Sequence, residues 1–346
     1  MKKIIVIGII GLLLTISIAT VNAKLCRPYI YVDDDADPDW YDETHVKTIN
    51  EGISIAEDGD TVYVFSGTYA EHVVIDKSIK LYGQDKSSTF INQGRVTINH
   101  VSGVIIQGFT IKNEDGDTGL VRLYYSSDCI VHSNNLEGLF IDPPYCIELI
   151  HASNNLIEMN TINGWCTWTI CGIYLGDGSD NNMIKGNSIT ECNIGIGIEE
   201  GNYNTVYQNT VTQNRLGIGL DSYTEDGPFN DVKYNKIIAN NVLYNTEICG
   251  IAMGIANNNQ IHHNNLIGNG EDGPIGNAID GGINNKWYDS SNREGNYWDD
   301  YNGPDVLPPY GVGDIPYYIL YASLDRFPLM EPVDIENVEI DFGDNS

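Results

Sequence analysis

Positive charge is what this sequence has least of. Its 346 residues carry 18 Lys and Arg against 48 Asp and Glu, a formal net charge of -30. Repulsion at that imbalance excludes nucleic acid, anionic membrane surfaces and polyanions such as pectate as partners, unless a cation bridges them. Long apolar runs are scarce as well. One run, Ile4 to Ala19, is broken only by Thr15 and Ser17, and no second one follows, so no membrane insertion is expected beyond it. The seven Cys lack metal-finger spacing, and the seven His and five Met are thin material for a soft-metal site.

The apolar run reads as an export signal over residues 1–23. Lys2 and Lys3 supply the positive end, and Val21-Asn22-Ala23 resembles a small-residue cleavage site. The mature chain is then secreted, extracellular or periplasmic, in a compartment that permits disulfides.

What the chain has in abundance is a repeat. Aligned on one Asn, its segments read Val131-His-Ser-Asn134-Asn-Leu136, Ile157-Glu-Met-Asn160-Thr-Ile162, Ile184-Lys-Gly-Asn187-Ser-Ile189, Val206-Tyr-Gln-Asn209-Thr-Val211, Val232-Lys-Tyr-Asn235-Lys-Ile237 and Ile261-His-His-Asn264-Asn-Leu266. Ile106-Gln-Gly-Phe109-Thr-Ile111 is an earlier member with Phe in the Asn place. The Asn steps are 26, 27, 22, 26 and 29 residues. A second alternating strand precedes each segment, as in Leu120-Val-Arg-Leu123, Cys146-Ile-Glu-Leu149 and Gly172-Ile-Tyr-Leu175. Strands this short bury nothing alone, but stacked at roughly 4.8 Å their Ile, Val and Leu form interior ladders. The Asn column suits a bend, where its amide serves backbone groups left unpaired. Helical segments between strands, which a leucine-rich repeat needs, are missing. The expected fold is all-β, a right-handed single-stranded parallel β-helix.

The ends differ and read as caps. His45 to Glu57 has apolar residues at helical spacing, a short helix sealing the core. Aromatics and Pro crowd residues 285–332, a cover for the far end. The expected divisions are 24–95 for the N-terminal cap and first coils, 96–284 for the repeats, 285–332 for the C-terminal cap and 333–346 for a disordered acidic tail. Cys146 and Cys171 are 25 residues apart and Cys166 and Cys192 are 26 apart, each about one coil, so they face one another across coils as disulfides or remain buried thiols.

Two stretches resemble known proteins. Tyr31-Val-Asp-Asp-Asp35, Asp58-Gly-Asp-Thr61, Gly67-Thr-Tyr69 and Ile79-Lys-Leu-Tyr-Gly83 resemble the opening of pectin-lyase-like β-helix proteins. Trp287-Tyr-Asp289, Gly295-Asn-Tyr-Trp-Asp-Asp-Tyr301, Gly311-Val-Gly-Asp314 and Asp325-Arg-Phe-Pro-Leu-Met330 resemble the terminal signature of NosD-type periplasmic copper-binding β-helix proteins. The resemblance implies the same fold, and for function either maturation of a copper enzyme or the binding or processing of polysaccharide. Val306-Leu-Pro-Pro-Tyr310 stands where the family carries acidic residues, which weakens a calcium site there.

Function on a solenoid lies in its outward columns. Arg122, Glu148 and Tyr174, beside a flat floor of Gly197, Gly219 and Ala252, suggest a sugar-binding shelf, with Trp165 and Trp168 from a nearby loop stacking on pyranose faces. Glu158 is a further outward carboxylate. No Asp-Asp pair of polygalacturonase type and no Asp-Pro-His of epimerase type occurs, so no catalytic residue is assigned. Asp33, Asp35 and Asp37, with Asp34, offer hard ligands to calcium; a solvated acidic turn is the alternative. Copper is disfavoured, because neighbouring strand residues such as His262 and His263 face opposite sides and Met253 belongs inside. Gly195-x-Gly197 and Gly217-x-Gly219 lie within coils, lack a third Gly and exclude a nucleotide loop. The reading that follows is an exported, non-catalytic β-helix presenting a lateral face to carbohydrate or another cell-surface component. A polysaccharide lyase, hydrolase or epimerase is the first alternative, and an accessory to copper-enzyme maturation the second.

Overall fold

The computed structural model describes residues 29–113, 119–138, 145–165, 170–221, 232–273, 275–321 and 323–339. Residues 1–23, the expected signal, lie outside them. Strands of two to six residues pair in parallel to build three sheets of 11, 10 and 9 strands. The chain visits the first, second and third sheet once per coil, winding a right-handed parallel β-helix. Each inward side chain sits above its equivalent one coil earlier. In the first sheet Ile106, Val131, Ile157, Ile184, Val206, Ile237 and Ile261 are in register and fully buried. Matching files run through Leu136, Ile162, Ile189 and Val211 in the second sheet and Leu149, Leu175, Ile198 and Leu220 in the third. Each such side chain contributes roughly 1.5–3 kcal/mol by burial.

The register corrects one expectation. Val232 and Asn235 do not belong with Val206 and Asn209; Ile237 and Asn240 do. Val232 pairs with Ala256 in a separate two-stranded ladder, also buried. The cause is a five-residue recurrence within each coil. Asn204, Asn209 and Asn214 occupy three successive corners, as do Asn235, Asn240 and Asn245, and all but Asn245, which Thr246-Glu247 follows, carry the same Asn-x-aliphatic pattern. The true steps from Asn209 are 31 residues to Asn240, 24 to Asn264 and 32 to Asn296.

Each corner turns on a residue in the left-handed region just before the Asn, with φ of 56° at Gln208, 54° at Ala239 and 58° at Tyr203. The bend turns the Asn inward, where its amide replaces lost ladder bonds. Asn187 Nδ2 donates to Ile157 O of the previous coil at 2.9 Å and to Asn209 Oδ1 of the next at 3.0 Å. Its Oδ1 accepts Asn160 N at 3.0 Å and Asn160 Nδ2 at 3.1 Å. Every amide therefore needs an acceptor from the coil that follows.

Those stacks end on carboxylates of the C-terminal cap. Asn296 donates its backbone N–H to Asp325 Oδ2 at 2.7 Å, Asn285 Nδ2 to Asp280 Oδ1 at 2.8 Å, and Asn277 Nδ2 to Asp299 and Asp300 at 2.9 and 3.0 Å. The same acids take the indole N–H groups of the buried Trp298 (to Asp325, 2.9 Å) and Trp287 (to Asp280, 2.8 Å). Burial raises the Asp325 carboxyl to about 6.

At the other end the helix is shorter than expected, Ile49–Ile55, because His45–Val46 pairs as a strand with Tyr31 and Val32. Thr48 and Glu51 form a capping box, and Lys77 Nζ donates to the carbonyls of Ile53, Ser54 and Ala56. The acidic tail is also more ordered than its composition suggests. Ile335–Asn337 form a turn of 3-10 helix, Gln208 Nε2 donates to Ile335 O at 2.7 Å, and Ile335 packs on Tyr207, Ile238 and Ala239. Residues 340–346 lie outside the described residues.

Replacing Asn209 by Ala strips Asn187 of its acceptor and Ile184 O of its donor, and should cost about 3 kcal/mol in denaturant unfolding. Adding Asn240→Ala should be less than additive, since the two share one ladder, whereas Asn209→Ala with Asn235→Ala should sum. The opposite pattern would restore the rejected register.

Candidate functional site

The outer face of the third sheet gathers most of the chemistry. Arg122, Glu148, Tyr174, Gly197, Gly219 and Ala252 form one file in consecutive register, as the sequence pattern indicates. Arg122 Nε lies 3.0 Å from Glu148 Oε2, with its N–H pointing off the line between them, and the guanidinium sits over Tyr124. Glu148 is 6% exposed, so this carboxylate is held inside the face and is not open to a ligand. Burial raises its pKa more than Arg122 lowers it. Tyr174 stacks on Tyr145 with centroids 4.3 Å apart and donates its hydroxyl to Glu199 Oε2 at 2.8 Å. Burial raises Glu199, and acidic Asp221, Glu200 and Asp177 push the same way against the Tyr174 bond. Asp221 is the register neighbour of Glu199 and accepts Ile255 N at 3.0 Å.

The glycine floor is not bare. Gly172 and Ile173 both turn inward, which leaves Cys171 and Tyr174 facing out on either side of Gly197. A Cβ at Gly197 would meet Cys171 Sγ at 3.3 Å, and one at Gly219 would meet Leu216 Cδ2 at 3.0 Å. The glycines thus make room for an apolar layer of Cys171, Ile194 and Leu216. This arrangement also rules out a Cys146–Cys171 disulfide: Cys146 points inward under Gly138, Cys171 outward, and both thiols are free. Burial pushes the Cys146 thiol up to about 12. Cys192 is likewise buried, standing in an Asn corner, while Cys166 and Trp168 lie outside the described residues.

Aromatic rims flank the face. Trp165, exposed and in the left-handed region, stands at the corner leading from the second sheet to the third. At the opposite corner His100, Tyr125 and His151 stack coil upon coil, with centroids 4.9 and 4.5 Å apart. All three have positive φ, because they begin the turn that leaves the third sheet. This rim, with Tyr145 and Glu199, was missed by column reading; its only signal is an aromatic or imidazole directly after the strand in Tyr124-Tyr125 and Ile150-His151. Glu158 lies elsewhere, on the first sheet between His132 and Lys185.

Metal-binding chemistry is sparse. Among the described residues one group of three metal-capable side chains converges, Asp33, Asp34 and Asp35, with ligand atoms within 4.8 Å of one another. Asp34 replaces the expected Asp37, which caps the short helix Pro38–Trp40 by accepting Asp39 N. The His pair corrects the alternation argument. His263 has φ of 58°, so both rings turn to the same side and their Nδ1 atoms lie 2.7 Å apart. His263 Nε2 reaches Glu294 Oε2 at 2.9 Å, in a cleft of about 660 Å³ also bordered by Asp289 and Lys236. The two imidazoles hydrogen-bond to one another, no thiol or thioether lines this cleft, and Met253 is inside the coil. The described donors therefore offer no soft sulfur ligand of the kind cuprous copper prefers.

Burial, then His263, depresses His262 to about 4. Its folded pKa is below that of the free ring, so it is neutral when folded. The stability it confers is complete above about pH 6.5 and is lost as pH falls toward 4. Thermal melts across that window should fall more steeply for the native chain than for His262→Gln; parallel curves would contradict the assignment.

The family model described as "Periplasmic copper-binding protein (NosD)" matches residues 52–303. No curated protein sequence matches. Among solved structures, the Dettilon tailspike protein is similar at TM-score 0.46 and 15% identity, over 78% of this chain and 64% of that one. The catalytic domain of a GH87 alpha-1,3-glucanase in complex with tetrasaccharides is similar at TM-score 0.42 and 11% identity, over 75% and 69%. A mutant of the periplasmic alginate epimerase AlgG is similar at TM-score 0.38 and 15% identity, over 73% and 64%.

Proposed function

The chain belongs to the NosD family, and we propose that it is a periplasmic β-helix protein whose third-sheet face binds carbohydrate without transforming it. The observation that carries this reading is the pairing of aromatic rims, Trp165 on one side and His100, Tyr125 and His151 on the other, around a polar face containing the hydrogen-bonded pair Tyr174 and Glu199. Sugars present apolar ring faces and polar edges, and this surface offers aromatic rings for the first and acceptor carboxylates for the second. The local charge selects among sugars. Asp177, Glu199, Glu200 and Asp221 repel uronates, so the ligand is a neutral glycan lying across successive coils.

One observation favours an enzyme. Glu199 and Asp221 are adjacent carboxylates, and Glu199 is raised above its usual range, as a general acid requires. Against this, Glu199 already accepts the Tyr174 hydroxyl and Asp221 a backbone N–H. New reducing ends on incubation with a bound glycan would establish the enzyme and overturn the binding-only reading.

A screen of neutral oligosaccharides should find a ligand whose Kd rises about tenfold in Tyr125→Ala, a loss of about 1.4 kcal/mol. Tyr174→Phe should weaken it too, by freeing Glu199. Unchanged affinity in both variants would remove the face from consideration.

A further inference from the structure

A second aromatic feature lies on the corner between the third and first sheets, further toward the C-terminal cap. Tyr203 and Tyr234 occupy the same position in neighbouring coils, with ring centroids 5.1 Å apart and planes 21° from parallel. They are 55% and 44% exposed. Both have left-handed backbone, φ of 58° and 60°. That conformation is costly for a bulky aromatic and mild for Asn. The other coils in this column use small residues, Gly103, Asp128, Asn154, Asn181, Asn258 and Asn284, all with positive φ. Two tyrosines therefore stand where a small polar residue would serve the turn better, with their rings largely in water. Neither hydroxyl forms a hydrogen bond within the described residues, so folding gains little from them.

The stack is open on one side. Tyr234 covers one face of Tyr203; the coil on the other side carries Asn181, which is too short to fill the space. A groove of about 340 Å³ runs along these three coils, lined by Asn181, Met183, Tyr203, Thr205, Tyr234 and Lys236. At its Asn181 end the groove borders Tyr203 on the side away from Tyr234. Its walls supply an apolar contact from Met183 and donors or acceptors from Asn181, Thr205 and Lys236.

We propose that this groove is a separate sugar subsite, in which a pyranose ring stacks on Tyr203 while Asn181 and Lys236 take its hydroxyls. The choice of a sugar rests on the reading of the third-sheet face; the site itself rests on the tyrosine pair and the groove. A flat aromatic ligand would want an apolar wall opposite Tyr203, whereas the wall here is mostly polar. Two subsites on one rod would let a long glycan bind with more avidity than either allows alone.

Native gel electrophoresis through hydroxyethylcellulose, laminarin, dextran or yeast mannan tests the proposal on the full exported chain. At least one polysaccharide should retard the protein. Tyr203→Asn should weaken that retardation at least fivefold, while Tyr203→Phe retains it, because stacking needs the ring and not the hydroxyl. Tyr203→Asn should melt at or above the temperature of the native chain, which separates lost binding from lost folding. Retardation of Tyr203→Asn equal to that of the native chain in every gel would overturn the subsite. If Tyr125→Ala abolishes retardation and Tyr203→Asn does not, the third-sheet face stands and the subsite fails. The reverse result supports the subsite and removes the face, and a native chain retarded by none of the four polysaccharides contradicts both.

Discussion

A buried asparagine amide has two donors and one acceptor oxygen, and in this protein each Asn corner of the coil depends on satisfying all three. Each amide gives one N–H to the coil behind and one to the coil ahead, and its oxygen receives the backbone and side-chain N–H of the preceding Asn. The arrangement has a direction, since an acceptor is always required from the next coil. It can begin at a residue with no side-chain amide, and Phe109, Cys129 and Cys192 each donate a backbone N–H to the first Asn of a stack. It must end on a group that only accepts. Asp325, Asp280 and the Asp299–Asp300 pair are those groups. The C-terminal cap is thus an electronic terminus as well as a cover, and the signature residues Trp287, Asn296, Trp298 and Asp325 acquire a shared physical purpose.

The same corners decide what the surface displays. Because a left-handed residue precedes nearly every inward Asn, Asn296 after Gly295 being the exception, the side chain there is thrown outward at the edge of the rod. Aromatic rings or imidazoles stand at several left-handed positions, Tyr203, Tyr234, Tyr244 and His263 directly before an Asn and His100, Tyr125, His151 and Trp165 at turns where no Asn follows. The flat faces between corners are built differently, with glycines such as Gly197 and Gly219 admitting an apolar layer above them. Ligand chemistry accordingly concentrates along edges, beside the third sheet's acidic file.

Much of the architecture was legible in the sequence because aliphatic columns and Asn columns are repeated in type as well as position. Val131, Ile157, Ile184, Val206 and Ile261 could be aligned without knowing the coil length. Val232 and Asn235 could not, since a coil with Asn at three corners matches itself when shifted by one corner; only the hydrogen bonds from Asn209 to Asn240 choose. His262 and His263 defeated strand alternation for a related reason, because the left-handed His263 interrupts the strand. At the site, the file Arg122, Glu148 and Tyr174 was readable by period. The burial of Glu148 was not, because it comes from the Arg122 pair and a crowded face. Glu199 and the His100–Tyr125–His151 rim were missed because single positions next to a turn have no period to announce them.

Hydrogen exchange at the corner amides tests the central claim most directly. In the native chain the backbone N–H groups of Asn187, Asn209, Asn240, Asn264 and Asn296 should all be strongly protected. Replacing Asp325 by Ala removes the last acceptor, and protection should be lost first at Asn296, then at Asn264, decaying toward Asn187. Protection that stays intact at Asn296, or that falls equally at every corner, would show that the stacks neither run in one direction nor end on the cap.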